Sequence, residues 1–169
     1  VTVRCETPIQ ASLVAPLLAI LNETDLYTTW CPSFQRPFKF GVSDTGRHKQ
    51  CSRAGQVAYA KVDMPWPLAN QDVIVKNVMA EALDEAGALV IRAKSMEAGE
   101  EEDGLVIPPV EPGWDRIKMD AGLLLRKCPD DHPALKKKKQ KKTTSTSTTR
   151  QNDNEEEPML LATFTLFVT

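Results

Sequence analysis

Apolar and polar residues alternate along five stretches of the chain with the period of two that is typical of β-strands. In the first stretch the even-numbered residues from Ala58 to Met64 are apolar, so we expect this face to be buried. The predicted strands of one antiparallel sheet are residues 57–64, 72–83, 88–96, 114–127 and 159–168.

Two of these stretches allow a second interpretation. Residues 79–85 have helical propensity, but a strand is favoured because the strands on both sides require a tight return at Glu85-Ala86-Gly87. Residues 114–125 are typical of either one strand or a bent pair of strands, with Gly122 at the bend.

A helical pattern follows a short predicted strand at residues 1–6. The pattern opens at Thr7-Pro8, and its apolar residues recur with the spacing of one helix face. Pro16 suits the first turn of the regular helix, where its missing N–H costs nothing, and the helix should end near Asn22.

A second, shorter helix is predicted directly after the first. Asp25 is suited to cap its N-terminus, and Pro32 closes it. Residues 35–56, which follow, are polar and turn-rich and contain three glycines, so no strand is assigned to them.

Residues 136–157 have low complexity: a lysine run precedes a Ser/Thr tract and then an acidic run. Such a segment buries too little apolar surface to offset the entropy lost on ordering. We expect a disordered insertion within one domain that spans residues 1–169, because the apolar stretch at 159–168 follows it. Deletion of the insertion should leave the fold intact.

The composition is that of one folded domain, with 169 residues, 41% of them hydrophobic and 26% charged. The net charge of −2 conceals a segregation, since the residues outside 136–157 carry 14 basic and 19 acidic side chains. This mildly acidic part argues against a folded nucleic-acid-binding face, so no nucleic-acid partner is expected. The densest apolar stretch, Ser12–Leu21, is too short to span a membrane.

The two ends of the chain are interpreted as cuts in a longer protein. The chain begins at Val1, without the charged and apolar regions of a signal peptide, and it stops at Thr169 inside a predicted strand. We expect a cytoplasmic location, with peripheral membrane contact as an extension of it.

Residues suited to catalysis or metal binding are scarce. The four cysteines form no CxxC pair, and without a secretory signal we expect them to be reduced thiols. His48 and His132 are the only histidines, and both lie in polar, turn-rich segments. None of the standard fingerprints of a hydrolase, a metalloprotease or a nucleotide-binding site occurs. The sequence therefore predicts no catalytic residue, no metal and no cofactor.

Four phrases of the sequence follow one another in a familiar order. They are Leu21–Tyr27 with Trp30 and Pro32, Met64–Leu68 with Gln71-Asp72-Val73, Ala88–Ser95, and Asp115–Met119 with Gly122 and the 159–168 strand. Their order and spacing resemble those of StAR-related lipid-transfer (START) domains over nearly the whole chain apart from residues 136–157. Gln71 departs from the pattern, since the family usually has Arg there, and any ion pair of that Arg is lost or replaced.

The resemblance implies an α+β helix-grip fold, in which a curved antiparallel sheet wraps around a C-terminal helix and encloses an apolar cavity for one lipid or sterol. It implies non-enzymatic binding or transfer of that ligand. The family's first strands and its C-terminal helix are expected to be missing from this chain. Two alternatives stay open: a cyclase-like enzyme of the same fold, and a protein-interaction module with a degenerate pocket.

Five residues are candidates for ligand contact: Trp30, Trp66, Asp72, Trp114 and Arg116. The tryptophans suit a cavity lining, although aromatic residues also serve as ordinary core or rim. Asp72 and Arg116 are charges inside apolar strands, so they either anchor a lipid headgroup or sterol hydroxyl, form a structural salt bridge, or face solvent.

The lysine run from Lys136 to Lys142 has three interpretations: a contact with anionic membrane lipids, a nuclear localisation signal, or a solubilising loop. The resemblance also predicts that an inner sheet face without its covering helix exposes an apolar patch, and that the chain aggregates when expressed alone. The residues expected in that patch are Val73, Val75, Leu89, Ile91, Leu124 and Phe164. Residues 160–168 are expected to form an edge or near-edge strand that increases the tendency to aggregate.

Overall fold

The computed structural model describes residues 1–31, 33–34, 39–82, 87–133 and 158–168. In chain order its strands and helices are β1 (Thr2–Gln10), α1 (Val14–Asn22), α2 (Tyr27–Trp30), β2 (Ser33–Phe34), β3 (Phe40–Ser52), β4 (Gly55–Asp63), β5 (Asn70–Ala82), β6 (Ala88–Ser95), β7 (Glu101–Glu102), β8 (Leu105–Val106), β9 (Trp114–Arg116), β10 (Met119–Lys127) and β11 (Met159–Val168). Two 3₁₀ turns, Ala11–Leu13 and Thr24–Leu26, precede the two helices.

One curled sheet contains most of these strands. Its order is β1-β11-β10-β6-β5-β4-β3-β2, and every neighbouring pair along this path is antiparallel. The short strand β9 pairs with β5 in parallel, which corrects the expectation of an entirely antiparallel sheet. The strands β7 and β8 form a separate two-stranded ribbon.

The strongly alternating stretches form the strands predicted for them. The predicted strands at 57–64, 88–96 and 159–168 correspond to β4, β6 and β11. The strand at 72–83 corresponds to β5, which excludes the helical alternative as far as Ala82, and residue 83 lies outside the described part. The stretch 114–127 is split between β9 and β10 at residues 117–118. Gly122, the predicted bend, lies inside β10 opposite Arg92 and Thr165.

The N-terminal strand is longer than predicted. β1 continues through Thr7-Pro8 to Gln10, so the helical pattern does not open there. Pro8 is tolerated because β1 is the edge strand of the sheet, where an absent N–H removes no necessary ladder bond. The regular helix α1 keeps Pro16 in its first turn and ends at Asn22, as predicted.

Two predictions between residues 25 and 56 are wrong. Asp25 makes no capping hydrogen bond; its carboxylate accepts the backbone N–H of Arg47 at 3.1 Å instead. Residues 40–52 form the 13-residue strand β3. Three register shifts against β4 and a half-exposed position near the sheet edge disrupt the alternation, which explains why the pattern predicts no strand. Pro32 and the insertion at 136–157 lie outside the described residues.

The sheet carries apolar clusters on both faces. On the concave face, Leu89, Leu125 and Ala162 are buried beneath Val14 and Leu18, which lie on α1. On the convex face, Val57, Ile74, Met96 and Ile107 form a second cluster, covered by the segment that contains β7 and β8. The expected burial of the Ala58 face of β4 is observed at Ala58, which is 3% exposed, and Val57 on the opposite face is completely buried as well.

Candidate ligand-binding site

A trough lies between α1 and the concave face of the sheet. Its volume is about 600 Å³, within the range of ~300–1,000 Å³ that is typical of small-molecule sites. The walls are mainly apolar, and their larger apolar side chains include Leu18, Val73, Val75, Ile91, Leu123 and Phe164.

Small residues at the centre of the floor create this space. Ala93 on β6 lies directly opposite Ala121 on β10, and Ala58 and Ala60 on β4 lie opposite Val75 and Val73. Leucine or isoleucine at the alanine positions would fill much of the volume. The trough is therefore a property of the strand sequences, because successive concave-facing positions carry methyl groups.

A network centred on Arg47 holds the roof of the trough in place. The guanidinium of Arg47 donates to the carbonyl oxygen of Asn22 at 3.3 Å and to the side-chain oxygen of Gln50 at 2.8 Å. The hydroxyl of Tyr27 donates to the carbonyl oxygen of Leu21 at 2.9 Å. These bonds link the end of α1 and the start of α2 to β3, so the trough has a fixed wall on that side.

Two buried polar side chains in the trough lack hydrogen-bond partners. The side-chain oxygen of Gln56, on β4, and the hydroxyl of Thr24, in the second 3₁₀ turn, have no partner in the described part of the chain. Gln56 is 4% exposed and Thr24 is 3% exposed. Such groups are costly unless something pairs with them, because nothing replaces the water they lose.

The titratable groups of the trough are poorly suited to acid–base catalysis. No carboxylate, histidine or cysteine lines it among the described residues. Burial raises the pKa of Tyr27, so its phenol keeps its proton at neutral pH. Arg53, the only charged lining residue in the described part, is exposed at the mouth.

Thiol and metal chemistry receive no support from the described residues. Cys5, Cys31, Cys51 and Cys128 are free thiols. Burial raises the pKa of Cys128, which disfavours the reactive thiolate. No group of three or more His, Cys, Asp or Glu side chains in the described ranges is arranged to hold a metal ion. Within the same ranges, no helix is long and apolar enough to cross a membrane.

Asp72 and Arg116 are placed together on the convex side of the sheet. Their side chains form a two-pronged ion pair with N–O distances of 3.0 and 2.7 Å, and they are only 11% and 9% exposed. Arg116 also donates to the carbonyl oxygen of Pro108 at 2.8 Å. The pair therefore ties β9 and the segment before it to β5, while Val73, the next residue on β5, faces the trough.

The three tryptophans lie apart from one another. Trp66 is 91% exposed in the connection between β4 and β5. Trp30 is 55% exposed and packs edge-to-face on Tyr27 at 5.2 Å. Trp114, on β9, is half-buried with the ammonium group of Lys61 5.2 Å from its ring centre. None of the five predicted contact residues is among the described residues that line the trough, and their contact with a ligand stays a prediction.

The predicted inner face is largely the observed one. Val73, Val75, Ile91 and Phe164 line the trough, and Leu89 is buried under α1. Leu124 is the exception: Leu123 and Leu125 pack on the concave side, so Leu124 between them points to the convex side. β11 is the second strand from the edge, because β1 pairs with its outer side.

Gln56 and Thr24 line the trough but are not among the residues predicted from the sequence. The sequence contained a signal for the burial of Gln56, because this residue lies on the same face of β4 as Ala58 and Ala60, and that face was expected to be buried. The sequence contained no such signal for Thr24, since its burial depends on how the turn after α1 packs against β3.

A curled antiparallel sheet with short helices over its concave face defines the class: this is the START helix-grip fold. No protein-family model and no curated protein sequence matches the chain. Solved structures that share the fold include the following three. Human STARD10 aligns with a TM-score of 0.55 at 14% identity, over 98% of this chain and 50% of its own.

The other two structures give the same result. A STAR-related lipid transfer protein of Xanthomonas axonopodis (fragment 25–204) aligns with a TM-score of 0.60 at 17% identity, over 99% of this chain and 68% of its own. The lipid transfer and protein localization domain of human StarD13 aligns with a TM-score of 0.52 at 12% identity, over 98% and 61%. The chain thus spans half to about two thirds of these structures, and the predicted resemblance to START domains is confirmed for the fold.

Proposed function

We propose that the chain binds one lipid or sterol in the trough, without covalent chemistry, and serves in lipid binding or transfer. The apolar trough on the concave face carries this proposal. Two of the structures with this fold are described as lipid transfer proteins or domains. The lack of an acid–base pair among the described lining residues favours binding over the cyclase-like alternative.

The driving force is the removal of apolar ligand surface from water. At ~25 cal/mol per Å², a ligand that buries about 300 Å² of apolar surface gains about 7.5 kcal/mol before the costs of association are subtracted. The trough presents few polar groups to the ligand, so those few determine its orientation.

A pair of tryptophan substitutions on adjacent residues of β6 tests the site. Ala93 faces the trough, whereas Lys94 faces the opposite side of the sheet and is exposed. Ala93→Trp fills the trough and should weaken the binding of a fluorescent sterol or a fluorescent phosphatidylcholine by at least about tenfold. Lys94→Trp, the matched control, should leave the affinity unchanged.

Fluorescence titration gives the affinities, and circular dichroism checks that both variants are folded. Equal affinities for the two variants would place the ligand elsewhere. Failure of the wild-type chain to bind either lipid would favour the alternative of a protein-interaction module.

A cytoplasmic location and a transient contact with anionic membranes through Lys136 to Lys142 belong to the same proposal. Each lysine near an anionic surface contributes about 1 kcal/mol of attraction. Co-sedimentation with phosphatidylserine vesicles should therefore decrease when the six lysines of this run are changed to glutamine. Sedimentation that is insensitive to this change would leave the lysine run without a membrane role.

A further inference from the structure

We infer that the trough selects lipids whose polar end is a free hydroxyl group, held by Gln56 and Thr24. This inference rests on the proposed function and specifies the ligand class that the same site takes.

The two residues with unpartnered side-chain oxygens line the trough from two neighbouring segments of the chain. Gln56 follows the turn that joins β3 to β4, and Thr24 follows the end of α1. Arg47 contacts both Asn22 and Gln50, so these two segments approach within the reach of one side chain. Gln56 and Thr24 thus both belong to the wall of the trough in this region. Their unpartnered oxygens are enclosed within the wall, and a ligand hydroxyl reaches them when the two side chains turn toward the trough.

The chemistry of Gln56 decides what partner is missing. Its side-chain carbonyl oxygen only accepts hydrogen bonds, so the ligand must supply an O–H or N–H donor. The hydroxyl of Thr24 both donates and accepts, so it completes the contact with a hydroxyl oxygen. An ester, an ether or a phosphodiester has no donor and would leave the oxygen of Gln56 unpaired.

The charge of the trough points to the same class. Within the described part of the chain, the walls contain no buried cation that would neutralise a phosphate, since Arg53 is exposed at the mouth. A buried phosphate without a counter-charge is strongly disfavoured. A neutral apolar body that ends in one hydroxyl satisfies the two buried groups and adds no uncompensated charge.

A sterol and a diacylglycerol share this chemistry, and paired probes distinguish them. One pair is dehydroergosterol and its 3-O-methyl ether, and the other is a fluorescent diacylglycerol and a phosphatidylcholine with the same acyl chains. The wild-type chain should bind the hydroxyl member of at least one pair about tenfold more tightly than its partner, because the partner leaves Gln56 unpaired.

Substitutions assign the discrimination to the two residues. Gln56→Leu should reduce the difference between the members of a pair to less than about threefold, mainly through weaker binding of the hydroxyl lipid. Thr24→Val should act in the same direction with a smaller effect. The melting temperature of Gln56→Leu should equal or exceed that of the wild type, because an apolar side chain removes an unsatisfied buried group.

Thr45→Val is the matched control. The hydroxyl of Thr45 is also buried without a partner, but Thr45 is not among the described residues that line the trough. Its substitution should preserve the discrimination. Retained discrimination in a folded Gln56→Leu variant would overturn the inference.

Measurements on the wild-type chain alone distinguish a failure of the hydroxyl preference from a failure of the proposed function. Equal binding of hydroxyl and ether lipids would overturn the hydroxyl preference and leave lipid binding intact. Absence of binding for all four probes would overturn the proposed function itself. If Gln56→Leu does not fold, the wild-type comparison and Thr24→Val decide the question.

Discussion

The two faces of the sheet differ in whether their buried polar side chains have partners. On the convex face, Asp72 and Arg116 neutralise each other, and Arg116 also binds the carbonyl oxygen of Pro108. On the concave face, Gln56 and Thr24 are as deeply buried but have no partner within the described residues.

Because of this difference, substitutions on the convex face should affect stability, and substitutions on the concave face should affect ligand binding. The convex face has a packed apolar cluster and a saturated ion pair, so changes there should lower the free energy of unfolding. The concave face has alanines where larger side chains would fit, so changes there should act mainly on ligand affinity. Four measurements test this division.

Loss of the convex ion pair should have the largest effect. Arg116→Ala leaves the buried carboxylate of Asp72 unpaired and should lower the free energy of unfolding by about 3–5 kcal/mol, as measured by urea denaturation. Lys118→Ala, which breaks the exposed pair with Glu97, is the control and should be nearly neutral. A neutral Arg116→Ala variant with impaired lipid uptake would instead support the predicted anchoring role of Arg116.

Truncation of the convex core should come next. Ile107 is 1% exposed between Val57, Ile74 and Met96, and Ile107→Ala should cost about 2–4 kcal/mol of unfolding free energy by urea denaturation. Val106→Ala, one residue away and 59% exposed, should change it by less than about 0.5 kcal/mol. Similar costs for both would show that the β7–β8 segment does not pack on the sheet as described.

Acidification should have a smaller effect through His48. Partial desolvation by neighbours that include Tyr59, whose ring centre is 4.6 Å away, and the charge of Arg116 lower the pKa of this largely exposed histidine. The unfolded chain then binds a proton more readily than the folded chain, so stability present above about pH 6.5 is lost as the pH falls. Melting temperatures near pH 7.5 and pH 5.5 should therefore differ less for His48→Gln than for the wild type. An unchanged pH dependence would exclude His48 as a source of acid sensitivity.

Trp66 should have the smallest effect on stability. Because its side chain is almost fully exposed, Trp66→Ala should change the free energy of unfolding by less than about 0.5 kcal/mol. Lipid uptake measured on the same variant then tests its predicted ligand contact without interference from unfolding. A drop of several degrees in the melting temperature would mean that Trp66 packs against part of the protein.

The strands with regular alternation could be predicted from the sequence. β4, β5, β6 and β11 are flanked by partners on both sides, so a regular period of two is preserved along them. β3 could not be predicted, because bulges interrupt its register and its polar residues suit an exposed margin. The parallel pairing of β9 with β5 depends on the path of the preceding segment. The alternation of apolar and polar residues carries no information about that path.

The site was predictable only in outline. Alternation indicated an apolar inner face, but pattern alone did not reveal that alanines leave a trough there. Asp72 and Arg116 stood out because charges in apolar strands need an explanation, and structural pairing was one of the interpretations that the sequence left open. Gln56 could have been singled out because it is in step with Ala58 and Ala60, but the sequence does not show that its side-chain oxygen lacks a partner.

The pairing of β1 with β11 has a consequence for the time course of folding. Nine residue pairs join these strands, from Thr2 with Phe167 to Gln10 with Met159, across nearly the whole length of the chain. Closing so long a loop costs entropy before any contact compensates for it, and contacts this distant in sequence slow folding. During synthesis β1 emerges before β11 and has to wait for it before the ladder of hydrogen bonds between the two strands can form. We expect this edge of the sheet to form late.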